Sequence, residues 1–105
     1  MIQPITGTKN IDQVIAKGDV ILGFSAPWCG YCRRLRPMVE KLSEEISQPI
    51  YGLNCDVDEE ITKRYEVETI PTLIYFHDGQ PKDRIIGYGT VGYPQLKEFI
   101  EKNSK

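Results

Sequence analysis

The chain is poor in the features that mark membrane-spanning, secreted and nucleic-acid-binding proteins. Its 105 residues hold no apolar run close to the roughly 18 residues of a membrane span. The 13 basic and 15 acidic residues give a net charge of −2 without a long run of either sign. Nucleic acid and anionic membranes are therefore not expected as main partners. The first residues, Met1 to Thr6, contain no basic leader followed by an apolar stretch, which predicts a cytoplasmic location.

Cysteine is also scarce, because the chain has only three. A small, odd number argues against a secreted scaffold held together by disulfides. A chain of this length with 40% hydrophobic residues can build one core without disulfides or a metal. We therefore predict a single domain over residues 1–105 and a monomer, with cysteines that are available for chemistry.

Apolar runs rich in β-forming residues alternate with helical patterns along the chain, which predicts an α/β fold with a helix-covered sheet. The predicted strands are Ile2–Ile5, Val20–Phe24, Ile50–Val57, Thr72–Phe76 and Arg84–Tyr88. The predicted helices are Asn10–Lys17, Cys29–Ser47, Asp58–Tyr65 and Tyr93–Lys102.

Three local signals refine this pattern. Asn10 and Gln13 have the spacing of a helix cap and its partner three positions later. Within the predicted third strand, alternation places Leu53, Cys55 and Val57 on one face. The dipeptide Asp78-Gly79 favours a tight hairpin, so the two strands around it are expected to run antiparallel.

The segment Trp28-Cys29-Gly30-Tyr31-Cys32 stands between a predicted buried strand and a predicted helix. In that context a Cys-x-x-Cys pair is a candidate for redox chemistry. Its spacing suits a disulfide with a Cα separation of roughly 4.4 to 6.8 Å, the first sulfur near solvent and the second shielded. Because a helix N-terminus favours the thiolate, we predict that Cys29 attacks and Cys32 resolves.

Two other interpretations of these cysteines are weaker. As half of a zinc site they would need two more ligands, and only Cys55 and His77 are available. Neither has the spacing of a zinc knuckle. Two inert core cysteines would not explain their position between strand and helix.

The chain resembles the thioredoxin family. The resemblance spans nearly its whole length and is carried by the segment Phe24 to Cys32, by Pro37, by Ile70-Pro71-Thr72, by a glycine-containing strand and by the terminal Gln95 to Phe99 helix. It implies a thioredoxin fold, with a mixed four- or five-stranded sheet and helices on both faces. It also implies dithiol–disulfide exchange on protein disulfides with no cofactor or metal, and a reductase as electron donor, for which an NADPH-dependent flavin thioredoxin reductase is expected. Ferredoxin-linked and glutathione-linked donors stay open.

The resemblance further implies that Pro71 follows a cis peptide bond and lies opposite the cysteines. The backbone of Ile70 would then pair with an extended substrate segment. Trp28 and a glycine of the segment 87–89, Gly87 or Gly89, would frame the binding groove. Gly30 and Tyr31 complete the expected site.

Three positions depart from the family pattern. Tyr31 stands where typical thioredoxins carry proline, Gly23 where they carry a buried acid, and Gly52 where they carry lysine. The acid and lysine are thought to move a proton to and from the resolving cysteine, so Cys32 is expected to use water or another group. The loss of the acid and the extra Tyr31 N–H both favour the thiolate, which predicts a more oxidising potential.

Two rival functions remain from the sequence. An oxidase or isomerase is suggested because some bacterial disulfide isomerases resemble this chain in carrying Gly-Tyr between their cysteines. A non-catalytic binding module is suggested by the missing partners at Gly23 and Gly52. Of the other candidates, Arg33 is interpreted as part of a solvated helix face, Cys55 as a small buried hydrophobe and His77 as a surface residue.

Overall fold

The fold is described from a computed structural model that covers residues 1–87, 89 and 91–105. Its strands are β1 (Ile2–Pro4), β2 (Asp19–Ser25), β3 (Ile50–Asn54), β4 (Thr72–His77) and β5 (Gln80–Ile86). Its helices are α1 (Thr8–Ile15), α2 (Gly30–Glu45), α3 (Glu59–Arg64) and α4 (Tyr93–Asn103).

The five strands form one mixed sheet in the order β1-β3-β2-β4-β5. Strand β3 is parallel to both β1 and β2, whereas β4 is antiparallel to β2 and to β5. The predicted α/β class, the mixed sheet and the hairpin at Asp78-Gly79 are confirmed. Both turn residues have positive φ, 49° and 85°, as a tight hairpin turn requires.

Each face of the sheet is covered by two helices, and each face has its own core. On one face α2 and α4 pack over Ile21, Leu73 and Tyr75. On the other face, buried isoleucines of α1 and α3 pack against the alternate residues of β2 and β4, such as Leu22 and Ile74. Strands β2 and β4 alternate between these cores, so they are apolar at successive positions, as expected for a sheet that is buried on both faces.

The predicted cap of α1 is wrong. The helix begins at Thr8 after Gly7, and the Asn10 side chain instead donates to the Thr6 carbonyl, 3.0 Å away. The entry into the helix is held by Asp58, whose Oδ1 accepts from the Gly7 N–H at 2.8 Å. A contact between residues so far apart in sequence leaves no local pattern.

Two strand boundaries also differ from the prediction. Strand β3 ends at Asn54, so Cys55 and Val57 lie beyond it. Cys55 still packs against the same core as Leu53, whereas Val57 is 66% exposed. The side chain of Asn54 turns the chain there by accepting from the Asp56 N–H at 2.9 Å. Strand β5 starts at Gln80, directly after the turn, rather than near Arg84. Its predicted last residue, Tyr88, lies outside the described residues.

Candidate active site

The two motif cysteines lie where β2 leads into α2. Cys29 is the N-cap residue of α2, and its Sγ accepts a hydrogen bond from the backbone N–H of Cys32 at 3.2 Å. The two Cα atoms are 5.2 Å apart and the sulfurs are joined in a disulfide. The helix N-terminus therefore directs a backbone N–H at the sulfur of Cys29, which stabilises negative charge there after reduction.

The expected difference in exposure between the two cysteines is not observed. Cys29 is only 5% exposed and Cys32 is 9% exposed. Both belong to a small buried cluster with Ala26, against which Ile70 packs. The first sulfur is covered by neighbours that are distant in sequence, which a local pattern does not reveal.

The loop before β4 lies against the cysteines. The Ile70–Pro71 peptide bond is cis, as the resemblance implied. The carbonyl oxygen of Ile70 is 3.8 Å from Cys29 Sγ. The structure thus brings the Ile70–Pro71 loop next to the disulfide.

Gly87 packs closely on this loop. Its N–H donates to the Pro71 carbonyl at 2.8 Å. A Cβ atom at Gly87 would lie 2.4 Å from Leu35 Cδ2 and 3.1 Å from Pro71 Cγ, so a side chain there would clash. Gly89 is exposed, and a Cβ there would meet no atom within 4 Å. Of the two candidate glycines, Gly87 is the one in contact with Pro71.

Two aromatic side chains stand beside the cysteines at the surface. Trp28 is 68% exposed and Tyr31 is 43% exposed. The indole Nε1 of Trp28 donates to Asp56 Oδ2 at 2.8 Å, which orients the ring. The sequence does not single out Asp56, since an indole N–H needs an acceptor but its identity depends on the fold. Gly30 leaves open space, because a Cβ there would meet no atom within 4 Å.

A cleft of about 490 Å³ lies between α2 and the sheet and reaches Cys32. We call it the glycine cleft. Its residues include Gly23, Gly52, Cys32, Leu35, Val39 and Leu73. Gly23 and Gly52 are register partners on the neighbouring strands β2 and β3. Two of the three positions at which the sequence departs from the family pattern are therefore adjacent and share one cleft.

The other candidates lie around or away from this site. Arg33 is exposed, and its guanidinium donates to the Pro27 carbonyl at 3.1 Å. Cys55 is half-buried beside the second core, and this burial raises the pKa of its thiol. His77 lies at the surface, as predicted, at the far end of β4.

Within residues 1–87, 89 and 91–105, no three histidine, cysteine or acidic side chains are grouped as a metal site would require. The described part of the chain also contains no helix with the length and apolarity to cross a membrane.

Comparison with known proteins agrees with this geometry. The family model for thioredoxin matches residues 3–102. The chain belongs to the thioredoxin family. It is 42% identical to a thioredoxin from Chlamydia pneumoniae over 84 residues, which are 79% of this chain and 82% of that protein. It is 33% identical to thioredoxin-2 from Saccharomyces cerevisiae over 98% of this chain and 99% of that protein.

The solved structures show the same fold. The solution structure of oxidised thioredoxin from Plasmodium falciparum superposes with a TM-score of 0.87 at 26% identity and covers all of both chains. As a member of the thioredoxin family, the protein is a thiol–disulfide oxidoreductase of a family that acts on protein disulfides and is itself reduced by a reductase. Its thioredoxin fold carries the Cys-Gly-Tyr-Cys motif at the start of α2.

Proposed function

We propose that this protein reduces disulfide bonds in other proteins, with Cys29 as the attacking thiolate and Cys32 as the resolving thiol. The Cys29 thiolate attacks a target sulfur, forms a mixed disulfide and releases the other target sulfur as a thiolate. Cys32 then attacks Cys29 Sγ, which releases the reduced target and leaves the Cys29–Cys32 disulfide. The observation that supports these roles best is the Cys32 N–H directed at Cys29 Sγ at the N-cap of α2.

The substrate groove runs over the loop that carries Ile70 and Pro71. An extended segment of the target pairs with the backbone of Ile70, as an added strand pairs with a sheet edge. Trp28 covers one side of this groove and Gly87 lies under the other. The nearness of the Ile70 carbonyl to Cys29 Sγ supports this placement.

The electron donor in this proposal is an NADPH-dependent flavin thioredoxin reductase, and residues 1–105 act as one monomeric domain in the cytoplasm. Neither a metal nor an organic cofactor is needed by the chemistry, because each exchange step transfers electrons only between sulfur atoms.

The potential is expected to lie above the roughly −270 mV of a typical thioredoxin. Gly23 places no carboxylate near the thiols, and Tyr31 supplies a backbone N–H at the second position of α2 that proline would lack. Both features stabilise the thiolate and hence the reduced form. Equilibration against glutathione buffers measures the potential, and a value equal to or below that of thioredoxin would contradict this expectation.

Insulin reduction tests the proposed function. We expect activity with dithiothreitol as donor and also with NADPH plus a thioredoxin reductase. Activity with dithiothreitol alone would keep the chemistry and reject the assigned donor. No reduction, but oxidation or reshuffling of a scrambled substrate, would favour the oxidase or isomerase, and neither activity would favour a binding module.

A further inference from the structure

The glycine cleft exists because two interior strands lack side chains at paired positions that are neighbours on one face of the sheet. Strand β2 lies between β3 and β4, and β3 lies between β1 and β2. Despite these central places, Gly23 and Gly52 are only half-buried. A Cβ at Gly23 would point toward Leu73 Cδ2, at 3.1 Å, and one at Gly52 toward Ile2 Cγ2, at 3.2 Å. Both directions lie on the face that α2 covers.

The walls of the cleft offer Cys32 no side-chain base among the described residues that line it. The charged residues there are Arg33 and Arg36, both from α2 and both exposed. Tyr51 also borders the cleft, but its side chain packs in the core of the opposite face. The described lining from β1, β2 and β4 contains no titratable group.

Water fits this cleft well. Its volume is many times that of one water molecule, for which about 30 Å³ is enough. Ser25 and Asn54 provide polar side chains along its wall, and the exposed Pro4 and Arg36 form its rim. Buried water requires two to four polar partners. Ser25 and Asn54 each bond one backbone group, and their remaining donor and acceptor capacity is available to water.

Building on the proposed function, we propose that the glycine cleft is the proton-transfer route of the resolving step. The Cys32 S–H gives its proton to water in the cleft and not to a side-chain base. The resulting thiolate attacks Cys29 Sγ, the Cys29–Cys32 bond forms and the bond from Cys29 to the target sulfur breaks. The target leaves as a thiolate and takes up a proton from solvent according to its own pKa.

In this proposal, the water in the cleft determines how readily Cys32 loses its proton. Replacing that water with apolar atoms disfavours the charged thiolate and raises the pKa of Cys32. Gly52→Val places apolar atoms in the cleft, whereas Gly52→Thr has nearly the same shape and keeps a hydroxyl. Both are β-branched residues that suit a strand. The two variants therefore form a matched pair that differs in polarity.

The resolving step is measured with dithiobis(nitrobenzoate) in a Cys55→Ala background, which removes the third thiol. The first thionitrobenzoate release reports attack by Cys29, and the second reports attack by Cys32 on the mixed disulfide. The rate of the second release is followed against pH for the wild type and both variants. Circular dichroism confirms that each variant is folded.

Gly52→Val is expected to raise the pKa of the second release by about one unit. Below that pKa the thiolate is tenfold rarer but about threefold more nucleophilic, so the rate falls three- to fourfold. On the high-pH plateau the same variant is about threefold faster, so its profile crosses that of the wild type. Gly52→Thr should raise the pKa of the second release by less than Gly52→Val does. Structural damage alone would lower the rate at every pH.

A Gly52→Val profile that matches the wild type would overturn the proposal. If Gly52→Val does not fold, Gly23→Ala replaces it, because its Cβ lies at ordinary contact distance, 3.5 Å, from the Tyr51 carbonyl and its one tight contact, 3.1 Å, is with the movable end of Leu73. That variant should shift the profile in the same direction by less. A wild type with no second release would contradict the proposed function itself, whereas a second release with unaltered profiles would contradict only the role of the cleft.

Discussion

The two ends of strand β2 differ in how the polar groups near them are hydrogen-bonded. At its start, Asp19 accepts from the Tyr75 hydroxyl and also bonds His77. Gln48 donates to the same Tyr75 hydroxyl at 3.1 Å. At the other end, the chain leads to Cys29 and Cys32, whose buried surroundings are Ala26 and Ile70.

Stability and chemistry are therefore located at opposite ends of one strand. The polar groups around Asp19 satisfy one another, and burial together with the Asp19 bond raises the pKa of Tyr75 to about 12. These hydrogen-bonded groups stabilise the fold and have little chemical reactivity. Among the described residues, the hydrogen-bond partners of Cys29 Sγ are the backbone groups of Cys32 and Ile70, so the reactivity of the thiols depends on the helix N-terminus and on water. Changes at the Asp19 end should therefore affect stability, and changes at the cysteine end should affect turnover.

The largest effect is expected from the cysteines. Cys29→Ser should reduce insulin reduction to the uncatalysed background, because a hydroxyl is not a useful nucleophile toward sulfur at neutral pH. Cys32→Ser should also stop turnover but accumulate mixed disulfides through Cys29. Both variants should unfold at the same denaturant concentration as the reduced wild type. A mixed disulfide that forms through Cys32 in Cys29→Ser would reverse the assigned roles.

Gly87→Ala probes whether the cysteine end also carries stability. The added methyl would overlap Leu35 Cδ2 and the Pro71 ring, so we expect a loss of about 2–3 kcal/mol in the free energy of unfolding, together with lower turnover. Urea unfolding measures the first. The double variant Leu35→Ala/Gly87→Ala should lose less free energy of unfolding than the sum of the losses in the two single variants, because truncating Leu35 removes the clash. Strict additivity would contradict the proposed contact.

Tyr75→Phe tests the Asp19 end. Removing the hydroxyl takes a donor from Asp19 and an acceptor from Gln48, so the free energy of unfolding should fall by about 1.5 kcal/mol. Insulin reduction should stay within about twofold of the wild type, since the site is at the opposite end of β2. A fall in insulin reduction well beyond twofold would contradict the division of stability and turnover between the two ends.

The smallest effect is a pH dependence at His77. Its bond to Asp19, followed by the charge of Asp78, raises the pKa of His77, while nearby Lys82 opposes this. A raised folded-state pKa gives stability that is complete below about pH 6.5 and is lost as pH rises through the folded value. Thermal melts of wild type and His77→Gln should therefore differ most in mild acid and converge in alkali. The opposite trend would contradict the ion pair.

Much of the fold could be read from local patterns. The unbroken apolar run of β2, the Asp78-Gly79 turn and the cysteine pair before α2 each have a short-range cause, and each was predicted correctly. The strand ends at Asn54 and Gln80 were misplaced because side-chain turns and hairpin pairing decide them. The N-terminus of α1 was misplaced because Asp58 holds it from another part of the chain.

The candidate site divides in the same way. The spacing of Cys29 and Cys32 indicated their chemistry because both lie in one turn of one helix. Asp56, the acceptor for Trp28, was not predicted because it approaches from the end of a different strand. The burial of Cys29 under Ile70 was also not predicted, since that contact joins two loops.

By itself the sequence determined the order of the elements, the motif and the absence of side chains at Gly23 and Gly52. Only the tertiary structure decided that these glycines are paired in register and open a cleft at Cys32. It also decided that Gly87 rather than Gly89 contacts Pro71. The physical reason is that propensities and spacings act over a few residues, whereas facing positions across a sheet depend on strand order and register.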